Sequence, residues 1–204
     1  MSQPIRVRPW PGSPARRARS LLLSALVLAP SLMAADPASV YLDPPGSQDR
    51  RFTRLGVELT ALVPTVHLQA SADGASVHCP AGQPFSFFET WMAPPHQAQV
   101  LGFDFVGKDD DALNDQALFA FRICQNGGEV PPLSTTATLL GTVASGTPFS
   151  GRFAVVLDLS GSGEIADSQL CRYLLRVRLA NQNQACRGPA MEVDKLVMRY
   201  RPAN

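Results

Sequence analysis

Residues 108–115 read Lys-Asp-Asp-Asp-Ala-Leu-Asn-Asp, a crowd of hard oxygen donors between two strongly apolar segments. Calcium takes six to eight oxygens, and Asp109, Asp111 and Asp115 are its candidate ligands here, with a neighbouring loop completing the shell. The spacing departs from an EF-hand, because Leu113 stands at a ligand position and no glycine follows. The competing reading is a solvated acidic loop, where like charges cost little in water. Calcium is the one cofactor the sequence suggests.

A second group is basic. Arg172, Arg176 and Arg178 alternate along one segment, and Lys195, Arg199 and Arg201 along another. If these two strands pair, six cations share one surface, and guanidinium forks match anions bidentately. An ordinary solvated sheet face that discourages edge pairing is the alternative, and Leu174 and Val197 interrupt the stripe. The third group is aromatic: Phe85, Phe87, Phe88, Trp91 and Met92, ending at Pro94, Pro95 and His96. Such a cluster is either core or a platform for the apolar face of a sugar ring, and Trp91 is then the residue that would stack.

Catalytic signatures are sparse. His67, His78 and His96 have no paired ligand spacing, and neither a GxSxG elbow nor a glycine-rich phosphate loop occurs. Carboxylates such as Glu58 and Glu89 are available to a glycosidase, but spacing in the sequence does not place them at the separation that chemistry needs.

Strands are required to hold these groups. Over residues 172–179, Tyr173, Leu175, Val177 and Leu179 fall on one face and Arg172, Leu174, Arg176 and Arg178 on the other. Similar alternation recurs at Val57 to Val63, Val66 to Ala70, Leu101 to Phe105, Phe119 to Ile123, Phe153 to Leu159 and Leu196 to Tyr200, with weaker strands near Val77, Phe85 to Phe88 and Leu139 to Val143. No stretch keeps a helical period. Turn chemistry at Asp73 and Gly74, Asn126 to Gly128, Pro131 and Pro132, and Gly161 to Gly163 separates the runs. The expectation is all-β: eight to ten strands in a two-sheet antiparallel sandwich, of jelly-roll or immunoglobulin-like kind.

The chain start predicts export. Five arginines (Arg6, Arg8, Arg16, Arg17 and Arg19) precede an apolar run over residues 21–33, and Ala34 and Ala35 supply the small residues a signal peptidase accepts. That run falls short of the roughly 20 residues a membrane helix needs, so residues 1–34 read as a signal peptide and the mature chain has no transmembrane segment. Residues 35–54, rich in Pro, Asp and Ser, read as a tail or linker, and 55–204 as a single domain. The leader removes five of the eighteen basic residues and none of the seventeen acidic ones, leaving thirteen against seventeen and a net charge of −4. Nucleic acid is therefore not an expected partner.

Cys79, Cys124, Cys171 and Cys186 all follow the leader, and an even count beyond an export signal predicts two disulfides. Of the three pairings, Cys79 with Cys124 and Cys171 with Cys186 is the expectation. A periplasmic or secreted binding module for glycan or another anionic ligand follows as the leading function. An envelope assembly protein acting through protein contacts is the alternative, and a hydrolase on a sandwich scaffold the third.

Overall fold

The computed structural model describes residues 48–72, 74–84, 86–125, 135–146, 151–180 and 184–203. The expected leader, most of the expected tail, Phe85 and the turn signals at Asp73, Asn126 to Gly128, Pro131 and Pro132 lie outside them.

The fold is all-β, as expected. Among the described residues, eight strands of six residues or more carry it: β1 (Arg50–Leu55), β5 (Phe87–Met92), β6 (Gln99–Asp109), β7 (Ala117–Gln125), β8 (Thr135–Ala144), β9 (Gly151–Asp158), β10 (Cys171–Arg178) and β11 (Met191–Arg201). Three two-residue strands join them: β2 (Thr60–Ala61), β3 (Gln69–Ala70) and β4 (Val77–His78). Sheet A has the order β3-β4-β11-β6-β9, and β1 shares with β4 one edge of β11. Sheet B has the order β2-β5-β10-β7-β8.

These orders have one simple origin. Strand β4 pairs with β11, β5 with β10, β6 with β9 and β7 with β8, all antiparallel. The chain from β4 to β11 is thus one long antiparallel ribbon, doubled back between β7 and β8 and wrapped so that successive pairs alternate between sheets. That is a jelly roll, which settles the choice against an immunoglobulin-like topology. Alternation drives the wrapping: Tyr173, Leu175 and Val177 of β10 meet Phe103, Phe105, Leu196 and Met198 of sheet A in one core, with the rings of Phe103 and Tyr173 6.1 Å apart. Burying each such side chain contributes roughly 1.5–3 kcal/mol.

The structure departs from the sequence reading at several points. The expected strand from Val57 to Val63 survives only as β2 (Thr60–Ala61) and opens as a short 3₁₀ turn at Gly56–Glu58, because Glu58 folds back to accept the Leu55 N–H at 2.7 Å and to meet Arg54. Strand β1 begins at Arg50, inside the stretch expected as a tail. Only Phe52 of that strand packs against the core, too little alternation to see, while its backbone pairs with β11 throughout. The two expected disulfides are present, but the pairing is corrected to Cys79–Cys186 and Cys124–Cys171. The ribbon explains this, since it brings the end of β4 to the start of β11 and sets Cys124 of β7 directly opposite Cys171 of β10. No helix among the described residues is long and apolar enough to cross a membrane.

Candidate functional site

The six expected cations do not share a surface. Strand β10 lies in sheet B and β11 in sheet A, so Arg172, Arg176 and Arg178 point out from one face of the sandwich and Lys195, Arg199 and Arg201 from the opposite one. Sequence could not show this, because the wrapped ribbon sends the last two strands to different sheets. Most of the arginines are also engaged. Arg199 Nε donates to Asp104 at 2.9 Å and Arg201 Nε to Asp49 at 2.9 Å. On sheet B, Arg178 meets Asp115 at 2.6 Å, and Arg176 donates to Glu89 at 2.6 Å while its guanidinium lies 5.3 Å from the Phe87 ring and 5.5 Å from that of Phe121.

Trp91 behaves differently from its aromatic neighbours. Phe88 and Met92 point inward and are buried, whereas Trp91, on the other face of β5, is 48% exposed. In register across the outside of sheet B run Trp91, Leu174, Phe121 and Leu139, one residue from each of β5, β10, β7 and β8. Leu174 is only 6% exposed within this row, which accounts for its place among the arginines. Beside the row lies a depression of about 330 Å³ lined by Trp91, Ile123, Gln125, Thr135, Gln169, Leu170 and Arg172, within the roughly 300–1,000 Å³ usual for small-ligand clefts.

The wall of this depression is fixed by covalent and hydrogen-bonded ties. The Cys124–Cys171 bridge clamps β7 to β10 immediately beneath it. Gln125 N–H donates to Leu170 O at 2.9 Å, and Asp167 Oδ1 accepts from the N–H groups of Gln169 and Leu170, holding the turn into β10. Arg172 Nη1 donates to Cys171 O at 3.0 Å and to Ser168 O. An apolar indole and Leu170 thus face two amides, a threonine and a guanidinium on a rigid frame, a lining suited to an amphipathic ring. Sequence reading picked out Trp91 and Arg172 but missed Ile123, Gln125, Thr135, Gln169 and Leu170, which are brought together only by the β7 to β10 pairing; the sole available hint was Cys171 next to Arg172.

The acidic loop is more buried than a solvated turn. Asp109 is fully buried; it accepts from Ser145 Oγ and, at 3.1 Å, from Asp111 N–H, and burial pushes its carboxyl above the ordinary range against those bonds. Asp111, despite a desolvation that acts the other way, is held below its ordinary value by the Leu113 N–H, Asn114 and Arg187. Asp115 belongs to Arg178 instead. Among the described residues no three Asp, Glu, His or Cys side chains are gathered as a metal site, although Asn114 Oδ1 and Gln116 Oε1 are buried without a hydrogen-bond partner.

Glu58 and Glu89 are each ion-paired and lie on separate elements. A serine, a histidine and a glutamate meet where the β3–β4 hairpin lies against β11: Ser71 Oγ donates to Glu192 Oε1 at 2.8 Å and stands 3.3 Å from His78 Nδ1. Ser76 also donates to Glu192, and the cluster ties the β3–β4 hairpin to β11.

No family model matches the chain, and no curated protein matches it. Twelve solved chains resemble it in structure. The exo-β-1,3-galactanase of Phanerochaete chrysosporium aligns at 10% identity and a TM-score of 0.40 over 73% of this chain, which spans 29% of that enzyme. The C-terminal CBM6 of a marine laminarinase from Zobellia galactanivorans aligns at 9% and 0.41, covering 73% of this chain and 98% of that one. The CBM22-2 xylan-binding domain from Paenibacillus barcinonensis aligns at 10% and 0.37, covering 73% and 96%. With TM-scores below 0.5, the topology rests on the hydrogen-bonded registers described above rather than on these likenesses.

Proposed function

We propose that the protein is a non-catalytic glycan-binding module that works in the periplasm or outside the cell after removal of residues 1–34. One observation carries the reading: Trp91 stands exposed along a braced depression that it lines together with two amides, a threonine and a guanidinium. An indole face offers apolar area at low entropic cost, and nearby amides orient hydroxyls. The test is affinity electrophoresis and calorimetry of the disulfide-bonded protein against a panel of neutral and acidic polysaccharides. Trp91→Ala is expected to weaken binding at least roughly tenfold, the effect of losing a central aromatic anchor, with an unchanged Tm. Absence of binding across the panel, or binding indifferent to Trp91, overturns the proposal.

A second reading, an assembly role, has its own support in β8. This ten-residue edge strand of sheet B has the sequence TTATLLGTVA, with neither the charges nor the proline that commonly block an edge. Sizing of the protein against a Thr138→Lys variant tests it. A larger species dispersed by the lysine supports assembly, and a monomer at all concentrations removes self-association. Calcium at residues 109–116 is also proposed, supported by the two unpartnered amide oxygens beside a desolvated carboxylate. Calcium should then raise the Tm relative to chelator; an unchanged Tm at saturating calcium withdraws Asp109 and Asp111, and with them Asp115, as ligands.

A further inference from the structure

We infer that the sugar recognised beside Trp91 carries a carboxylate, as a uronic acid does, and that Arg172 is the group that binds it; this rests on the glycan reading above. The argument starts from charge on the outer face of sheet B. Arg176 is taken by Glu89 and Arg178 by Asp115. Arg172, on the same face, has no carboxylate partner among the described residues. Among the described residues, its hydrogen bonds run only from Nη1 to the backbone carbonyls of Ser168 and Cys171.

That arrangement orients the guanidinium without neutralising it. With Nη1 committed, the edge made by Nε and Nη2 is left, and these two parallel N–H groups match the two oxygens of one carboxylate. Backbone carbonyls fix the fork in advance, so little side-chain entropy is lost on binding. Arg172 lines the same depression as Trp91, and Gln125 and Gln169 stand beside it to meet ring hydroxyls. The nearest acid of the supporting turn, Asp167, spends Oδ1 on the N–H groups of Gln169 and Leu170 and lies 3.6 Å from His96 Nδ1. A single fork suits a single carboxylate. The chain expected after leader removal is acidic overall, so the attraction for an anionic sugar is local to this fork and not a general field.

The experiment measures binding of polygalacturonate, alginate and hyaluronan to the disulfide-bonded protein, each beside its methyl-esterified form, with dextran sulfate as a non-sugar-acid polyanion. At least one acid form is expected to bind roughly tenfold or more tighter than its ester, the range for a charge-assisted pair. Arg172→Gln should abolish that preference, bringing acid and ester forms to equal affinity, and Arg172→Lys should restore only part of it. Equal affinity for acid and ester, or a preference unchanged in Arg172→Gln, overturns the carboxylate assignment and leaves the Trp91 reading standing. Dextran sulfate bound as tightly as any uronate, with no loss in Arg172→Gln, overturns it too. If neither acids, esters nor neutral glycans bind, the glycan reading itself falls.

Discussion

Arg172, Arg176 and Arg178 are one residue type on one face of one strand, yet they have three different fates. What separates them is the neighbour each strand brings: Glu89 of β5 reaches Arg176, Asp115 before β7 reaches Arg178, and among the described residues only backbone carbonyls accept from Arg172. The sequence showed the alternation and the outward face; the partners come from other strands and were not legible. The same holds for the acidic loop, where an apparently exposed run contains a fully buried Asp109. Because burial raises that carboxyl's value in the fold above its unfolded one, its charge opposes folding at neutral pH, and this cost disappears as pH falls below the folded value. In calcium-free buffer Asp109→Asn, which keeps the shape, should therefore melt a few degrees higher than the wild type at pH 7. Thermal melts across acid pH should show the advantage vanishing as the aspartate protonates.

At the scale of elements, the strands with the cleanest alternation were read correctly, and β10 is the best case. Strand β1 was not, because one inward phenylalanine leaves no period, and its place is set by the open edge of β11. Irregularities were equally invisible. In β6 the register with β11 slips between Arg199 and Tyr200, and Gly102 sits there with φ +149°, where a Cβ would lie 2.3 Å from the Leu157 carbonyl oxygen. Gly102→Ala should cost about 2–4 kcal/mol in denaturant unfolding, since the Leu157 backbone must shift and the positive φ strains any side chain. Gly141 of β8 is a useful contrast. Its added Cβ would meet only the tip of the Leu157 side chain, at 2.6 Å, which can rotate away, so Gly141→Ala should cost about 1 kcal/mol.

At the scale of the whole molecule, the two bridges close loops with sequence separations of 107 and 47 residues, and on the chain-entropy model each stabilises by about 4–5 kcal/mol. Replacing either pair by alanine should lower the Tm by about 10 °C or more in a domain of this size. Only the Cys124→Ala, Cys171→Ala double variant should also weaken glycan binding, because that bridge underlies the depression; calorimetry on both variants separates the effects. N-terminal sequencing of exported protein should begin just after Ala34 or Ala35. The sequence by itself determined the all-β class, the inward and outward faces of the longer strands and the presence of two bridges, because period-two burial and cysteine parity are local or countable properties. The tertiary structure decided that β10 and β11 lie in opposite sheets, which cysteines pair, and that Trp91 and Arg172 share one hollow. Those follow from winding a doubled ribbon into a sandwich, which joins residues far apart in the chain and parts strands that are successive in it.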